Sequence, residues 1–177
     1  GWPHIPDFPG SQYAVTSNEI FDLDSFPERL VVVGGGYIAV EFAGIFHGLG
    51  SEVTLVYRGD NILRGFDDDV RTHVQDEMTK KGVRIRLRSV VAGVERDARG
   101  ALVVRFVDGH APVEVDAVLS ATGRVPSTRD LGLEEAGVAL GENGEVVVDR
   151  FSASSVPSIY AVGDVIETND FVTGAPT

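Results

Sequence analysis

The chain of 177 residues contains no cysteine. It therefore carries no disulfide, no thiolate metal site and no cysteine nucleophile of its own, and the absence agrees with a reducing, cytoplasmic setting. Basic residues are also scarce: 15 lysines and arginines stand against 27 aspartates and glutamates, a formal charge of −12. Binding to a phosphate backbone or an anionic bilayer needs the opposite sign, so neither nucleic acid nor membrane is an expected partner. No apolar run approaches the roughly 18 residues that a membrane-spanning helix requires. No basic stretch followed by an apolar one opens the chain, so no signal peptide is visible. The one methionine is Met78, while the first residue is Gly1 and the last four are Gly174-Ala175-Pro176-Thr177. These features read as a piece of a longer protein, expected to be monomeric on its own.

What is present is organised by glycine and β-branched residues. Pro3, Pro6, Pro9 and Gly10 oppose regular structure in a lead-in spanning residues 1–28. Within it, Thr16 and Glu19 have capping-box spacing for a short helix through Ile20 and Phe21. Leu30-Val31-Val32-Val33 reads as a strand buried on both faces, ended by Gly34-Gly35-Gly36. Ile38, Phe42, Ile45, Phe46 and Leu49 then recur at helical spacing up to Gly50, a C-cap glycine. Residues 52–57 form the next strand, completing a βαβ unit about 30 residues long. A second helix starts near Asp67, presents Val70, Val74 and Met78 on one face, and ends at Lys80-Lys81-Gly82. Residues 83–87 make a third strand, and 89–95, 101–107 and 112–116 an antiparallel meander turned by Asp108-Gly109. Residues 117–121 are another buried strand leading into Thr122-Gly123-Arg124. Beyond it, 141–144 is a hairpin turn before a strand at 145–148, and 158–162 is a strand ended by Gly163-Asp164.

The chemistry lies first in Gly34-Gly35-Gly36-Tyr37-Ile38-Ala39, a G-x-G-x-x-A pattern between strand and helix. Gly34 allows the tight turn, Gly36 lets backbone approach a pyrophosphate, and Ala39 permits close helix–strand packing. The amides at the start of the helix, around Tyr37 and Ile38, then bind phosphate. An NAD-binding unit usually carries a carboxylate at the end of its second strand to hold the ribose 2′-hydroxyl. Here that end is Tyr57, followed by Arg58 and, six residues on, Arg64. Two guanidiniums suit a 2′-phosphate, so NADP(H) is preferred; the alternative is a pair of solvated loop charges. Tyr37 and Glu41 are open: each fits a nucleotide site or plain packing at a helix start. His4, His47, His73 and His110 show no metal or acid–base spacing, and Asp67-Asp68-Asp69 fits a helix N-terminus better than a metal.

These motifs resemble those of the pyridine nucleotide–disulfide oxidoreductases, and among them the glutathione reductase branch. The matching stretches are residues 31–44, Tyr57-Arg58, 63–67, Ala121-Thr122-Gly123-Arg124 and Tyr160-Ala161-Val162-Gly163-Asp164-Val165. Arg58 and Arg64 favour this branch over dihydrolipoamide dehydrogenase, which is acidic where Tyr57 stands. The resemblance implies an α/β fold in three Rossmann-like layers: a central parallel sheet, helices on one face and an antiparallel meander on the other. It implies an NADP(H)-binding domain over 29–124, and over 125–177 part of an FAD-binding domain in which Gly163 and Asp164 meet FAD. Tyr37 would cover the flavin face, Glu41 would sit by the nicotinamide carboxamide, and Gly123 and Arg124 would lie near NADPH. The family's redox-active cysteine pair and its C-terminal interface domain, which builds the homodimer, are absent, so no catalytic residue is expected within the chain. The implied reaction, from NADPH through FAD to glutathione disulfide, belongs to a full-length protein. Rival readings are another NAD(P)H-dependent disulfide reductase and a non-catalytic dinucleotide-binding module. The run Glu167-Thr168-Asn169-Asp170-Phe171-Val172-Thr173 departs from what the family leads one to expect after Asp164.

Overall fold

The computed structural model describes residues 1–166. The departing run after Ile166 thus lies outside the described residues. The chain divides into two compact units: Pro3–Gly123, and a second made of Gly1–Trp2 with the chain from Arg124 onward. Its regular elements are β1 (Trp2–Pro3), β2 (Arg29–Val33), α1 (Tyr37–Gly48), β3 (Glu52–Val56), α2 (Asp68–Lys81), β4 (Arg84–Arg86), β5 (Val91–Arg96), β6 (Leu102–Phe106), β7 (Val113–Val115), β8 (Ala117–Ser120) and β9 (Arg124–Val125).

In the first unit the expected three layers are present. Strands β2, β3, β4 and β8 form a parallel sheet in the order β4-β3-β2-β8, and β5-β6-β7 an antiparallel one. Val31 pairs with Thr54 on one side and Val118 on the other. Side chains alternate between the faces of a strand. Leu30, Val32, Val53, Leu55 and Leu119 therefore join a core with Ala39, Phe42 and Phe46 of α1, against which Val74 and Met78 of α2 pack. Val31, Val56 and Val118 join a second core with Val94, Val104 and Phe106 of the meander. Strands covered on both faces must be apolar at nearly every position, which is why β2 reads as an unbroken run.

The caps follow the sequence expectation. The Asp67 carboxylate accepts the amides of Asp69 and Val70 at 3.0 and 3.3 Å, and Gly82 ends α2 in the left-handed region. The stripe on α1 is a partial correction. Ala39, Phe42, Ala43 and Phe46 face the core, whereas Ile45 and Leu49 are exposed. Val70 of α2 is also exposed. Residues 39, 42, 43 and 46 keep a narrower 3.6-residue stripe, and the two small alanines let the helix approach the sheet closely.

The lead-in is packed rather than loose. The Val15 amide donates to Val118 O and the Ser120 amide to Val15 O, both at 2.8 Å, and Ile20 is buried. The Glu19 carboxylate accepts the Thr16 amide at 2.8 Å, the backbone half of a capping box, and also its hydroxyl at 2.5 Å. These Thr16 bonds hold the Glu19 carboxyl below its ordinary range.

The second unit is built mainly from turns. The expected turn at 141–144 forms, with the Gly141 amide on Glu145 O and the Gly144 amide on Gly141 O. The strands expected at 145–148 and 158–162 do not form. Val146 makes only isolated bridges to Leu140 and Ile166, and Tyr160 one to Ala153. Among the described residues no neighbouring strand completes a ladder there, and an unpaired run has no reason to stay extended. No helix of the described residues is long and apolar enough to cross a membrane.

Candidate functional site

The glycine-rich turn joins β2 to α1 at the carboxyl end of the parallel sheet, where ligands bind in open α/β sheets. Its three glycines have different physical reasons. At Gly34, φ is 137° and an added Cβ would lie 2.2 Å from the Ala121 carbonyl oxygen. Any side chain there would push β2 and β8 apart. At Gly35 a Cβ would stand 2.4 Å from Cγ of Tyr57, whose ring also abuts Gly59. That wedge of one aromatic ring against two glycines has no signature in sequence spacing.

Gly36 is different again. Its φ of −80° and ψ of 178° suit any residue, and an added Cβ would meet no atom within 4 Å. Nothing among the described residues demands glycine here, and the open space leaves room for a group outside the chain. Gly36 is also the N-cap of α1 and supplies no side-chain cap. The positive end of the helix dipole lies at this turn, a place that favours an anion. Ala39 is fully buried and Ile38 packs on the core, whereas Tyr37 and Glu41 are exposed one turn apart on the same side of the helix.

The loop leaving β3 carries the two arginines. Arg58 and Arg64 are both exposed. Among the described residues neither side chain has an ion-pair partner, although seven other arginines of this acidic chain do. The loop itself is fixed. Ile62 and Leu63 are buried, and the Leu63 amide donates to Gly35 O at 2.6 Å, tying the loop to the glycine-rich turn. A glycine with open space, an uncapped helix start and two unpaired guanidiniums on a fixed loop together fit a phosphorylated dinucleotide.

The remaining candidates lie toward the second unit. Gly123 has a φ of 135° with no atom near its α-carbon's open side, and Gly163 has a φ of 77°. The Arg124 Nε donates to the Asp164 carboxylate at 3.2 Å, and its guanidinium also bonds the Gly1 carbonyl. The chain-terminal amine of Gly1, then Arg124, hold the Asp164 carboxyl below its ordinary range. The structure thus couples two candidates, Arg124 and Asp164, that the sequence reading kept in separate nucleotide sites. Sequence reasoning missed the Tyr57 wedge and Arg71, whose side chain reaches the arginine loop from α2. Neither follows from a local pattern.

Sheet order, turn and helix define a Rossmann-like dinucleotide-binding fold. A family model for pyridine nucleotide-disulphide oxidoreductases matches residues 1–176, and the chain belongs to that family. Among curated relatives it is 52% identical to a glutathione reductase of Burkholderia cepacia, over 92% of this chain and 36% of the relative. It is 46% identical to a trypanothione reductase of Leishmania donovani, over 93% of this chain and 34% of the relative. The solved structure of the HOCl-induced flavoprotein disulfide reductase RclA from Escherichia coli superposes with a TM-score of 0.82 at 34% identity, over 92% of this chain and 37% of that one. The chain spans a little over a third of the length of the curated relatives it matches.

Proposed function

We propose that this chain is the NADP(H)-binding part of a cytoplasmic, homodimeric flavoprotein reductase that passes reducing equivalents from NADPH through FAD to glutathione disulfide. The observation that carries the reading is the pair Arg58 and Arg64: exposed, without acidic partners among the described residues, and on a loop bonded to the glycine-rich turn. The glutathione branch is supported by the glutathione reductases among its relatives, with trypanothione reductase as evidence that a neighbouring disulfide is within the family's reach.

In this reading residues 29–124 bind NADP(H) and residues from 125 belong to an FAD-binding domain. The bound nicotinamide and flavin supply the hydride chemistry; the chain's residues bind and orient. Backbone at Gly34 and Gly36 and the first amides of α1, at Tyr37, Ile38 and Ala39, receive the pyrophosphate, because the helix start offers N–H groups and a positive dipole end. Arg58 and Arg64 take the 2′-phosphate by charge-assisted hydrogen bonds. Tyr37 and Glu41, on one exposed side of α1, are placed for the nicotinamide end, Tyr37 as the cover of the flavin face. Gly123 and Arg124 serve near NADPH, and Gly163 with Asp164 contact FAD. The thiol chemistry belongs to parts outside this chain.

The test is a titration of the purified chain with NADPH and NADH, repeated on Arg58→Ala and Arg64→Ala. Each substitution is expected to cost about 1.5–3 kcal/mol of NADPH affinity, one charged hydrogen bond's worth, and to leave NADH nearly unchanged. Equal affinity of the folded wild-type chain for the two nucleotides would sink the reading and point to an NAD-type relative.

A further inference from the structure

We infer that Arg71, on α2, is a positioning residue for nucleotide selection, holding the loop that carries Arg58 and Arg64 against the glycine-rich turn. The inference rests on the proposed role of those two arginines. Between the end of β3 at Val56 and the start of α2 at Asp68 the chain has no regular structure. A segment this long keeps one shape only if its backbone is held from outside.

Backbone bonds from Tyr57 to Arg86 O, Arg88 to Gly59 O and Ser89 to Tyr57 O hold its first residues, Asn61 Nδ2 donates to Thr72 Oγ1 at 3.4 Å, and three further attachments reach the rest. The Leu63 amide donates to Gly35 O at 2.6 Å, and Leu63 itself has a φ of 55°. A left-handed backbone at a bulky residue is unfavourable and persists only where surrounding bonds impose it. Arg71 supplies such bonds: its Nε donates to Ile62 O at 2.9 Å and one terminal nitrogen to Asn61 O at 3.2 Å. Its other terminal nitrogen holds the Asp68 carboxylate at 2.6 Å. The third attachment is the pair Arg88–Asp60 at 2.5 Å.

The attachments are not equivalent. The side chains of Arg88 and Asp60 are both 78% exposed, so solvent and salt screen that pair and it constrains little. The Arg71 side chain is only 20% exposed, and its bonds run to main-chain carbonyls next to buried Ile62 and Leu63. Charge-assisted bonds in such a shielded place are the stronger kind. All three nitrogens of Arg71 are engaged within the chain, through three of its five N–H donors, which separates it from Arg58 and Arg64. Its effect on nucleotide choice runs through the loop.

The experiment compares the wild-type chain with Arg71→Met and Arg71→Lys, reading NADPH and NADH affinity by titration and the exchange rate of the Leu63 amide without nucleotide. In Arg71→Met the loop is expected in its binding shape about a tenth of the time, which weakens NADPH binding about tenfold. NADH affinity changes less than twofold, because the adenosine 2′-position then carries a neutral hydroxyl and no phosphate for the arginines to hold. The Leu63 amide exchanges faster in the same variant. Arg71→Lys, which keeps a charged donor, recovers part of both effects. A folded Arg71→Met that still discriminates between the nucleotides as the wild type does would overturn the inference alone. An equal loss for NADPH and NADH would also overturn it, marking Arg71 as merely structural. A wild-type chain that does not discriminate would overturn the inference together with the proposed function.

Discussion

Residues 30–33 and residues 159–162 are both short apolar runs, Leu-Val-Val-Val and Ile-Tyr-Ala-Val, each closed by glycine. They end in opposite conditions. Leu30, Val31 and Val32 have no exposed surface, sit between two parallel neighbours and touch cores on both faces of the sheet. Tyr160 and Val162 are 64% and 71% exposed, and among the described residues their run makes a single bridge, from Tyr160 to Ala153. Composition alone does not separate these outcomes. A β-branched run becomes a strand when neighbours accept its amides and side chains from elsewhere cover its faces. The first unit supplies both conditions within its own hundred-odd residues; among the described residues of the second, Val138 and Val146 are the buried apolar side chains.

The largest consequence should appear in amide exchange. Amides of β2, β3 and β8 open only with the whole first unit, whereas the amides of the isolated Ala153–Tyr160 bridge in the second unit, Ser154 on Ile159 O and Ala161 on Ser152 O, open locally. The slowest amides of β2 are expected to exchange at least about a thousandfold more slowly than Ser154 and Ala161, given a global stability of ordinary size. Equal protection in the two regions would break the comparison, because it would mean that the second unit is as cooperatively held as the first.

The same contrast applies to glycines. Gly34→Ala places a methyl 2.2 Å from the Ala121 carbonyl in a backbone conformation alanine disfavours, and is expected to cost at least about 3 kcal/mol in urea unfolding. Gly163→Ala shares the positive φ but meets no atom within 4 Å, so only the backbone penalty of about 1–2 kcal/mol applies. Gly36→Ala sharpens the point within the first unit. With a φ of −80° and open space it should leave stability within about 1 kcal/mol while weakening NADPH binding. A Gly36→Ala chain that binds NADPH as well as the wild type would remove the assignment of that space to the pyrophosphate.

How far the sequence could be read follows the same line. The β2–turn–α1–β3 unit, both caps of α2 and the meander were readable because each rests on local signals: a glycine where the chain must turn, an aspartate at a helix start, alternation in a strand. Gly34, Gly36 and Ala39 could be sorted from spacing, and the structure gives a separate physical reason for each. What could not be read depends on distant neighbours. The exposure of Ile45 and Leu49 depends on where the sheet meets α1. The missing strand at 158–162 depends on absent ladder partners, and Arg71 on α2 lying beside a loop that precedes it. The ion pair between Arg124 and Asp164, 40 residues apart, has no local signal at all.

The smallest effect concerns how the first unit is stapled at the opposite edge of β2. The Arg29 guanidinium bonds Asp116 at 2.7 Å and Glu114 at 2.8 Å, joining the start of β2 to β7 and the turn before β8. Its hydrogen bonds hold the Asp116 carboxyl below the ordinary range; Glu114 is lowered by Arg29 first and by Arg99 after it. A carboxylate whose pKa is lower folded than unfolded adds stability above its unfolded value, about 4, and loses it as the pH falls through the folded value. The partners are 37% exposed, so screening keeps the contribution small. Arg29→Met should therefore be slightly less stable than the wild type at pH 7, by urea midpoint, with the gap closing as both chains are taken below the ordinary carboxylate range of about 4. The second unit has its own lowered carboxyl in Asp164, held by Gly1 and Arg124, which the Arg29 substitution does not touch. An acid-dependent gap that follows unfolding of the first unit thus assigns it to the Arg29 staple. A gap that stays constant as the pH falls from 7 to well below the ordinary carboxylate range would show that Arg29 contributes through the packing of its aliphatic stem, since burial of apolar surface does not titrate.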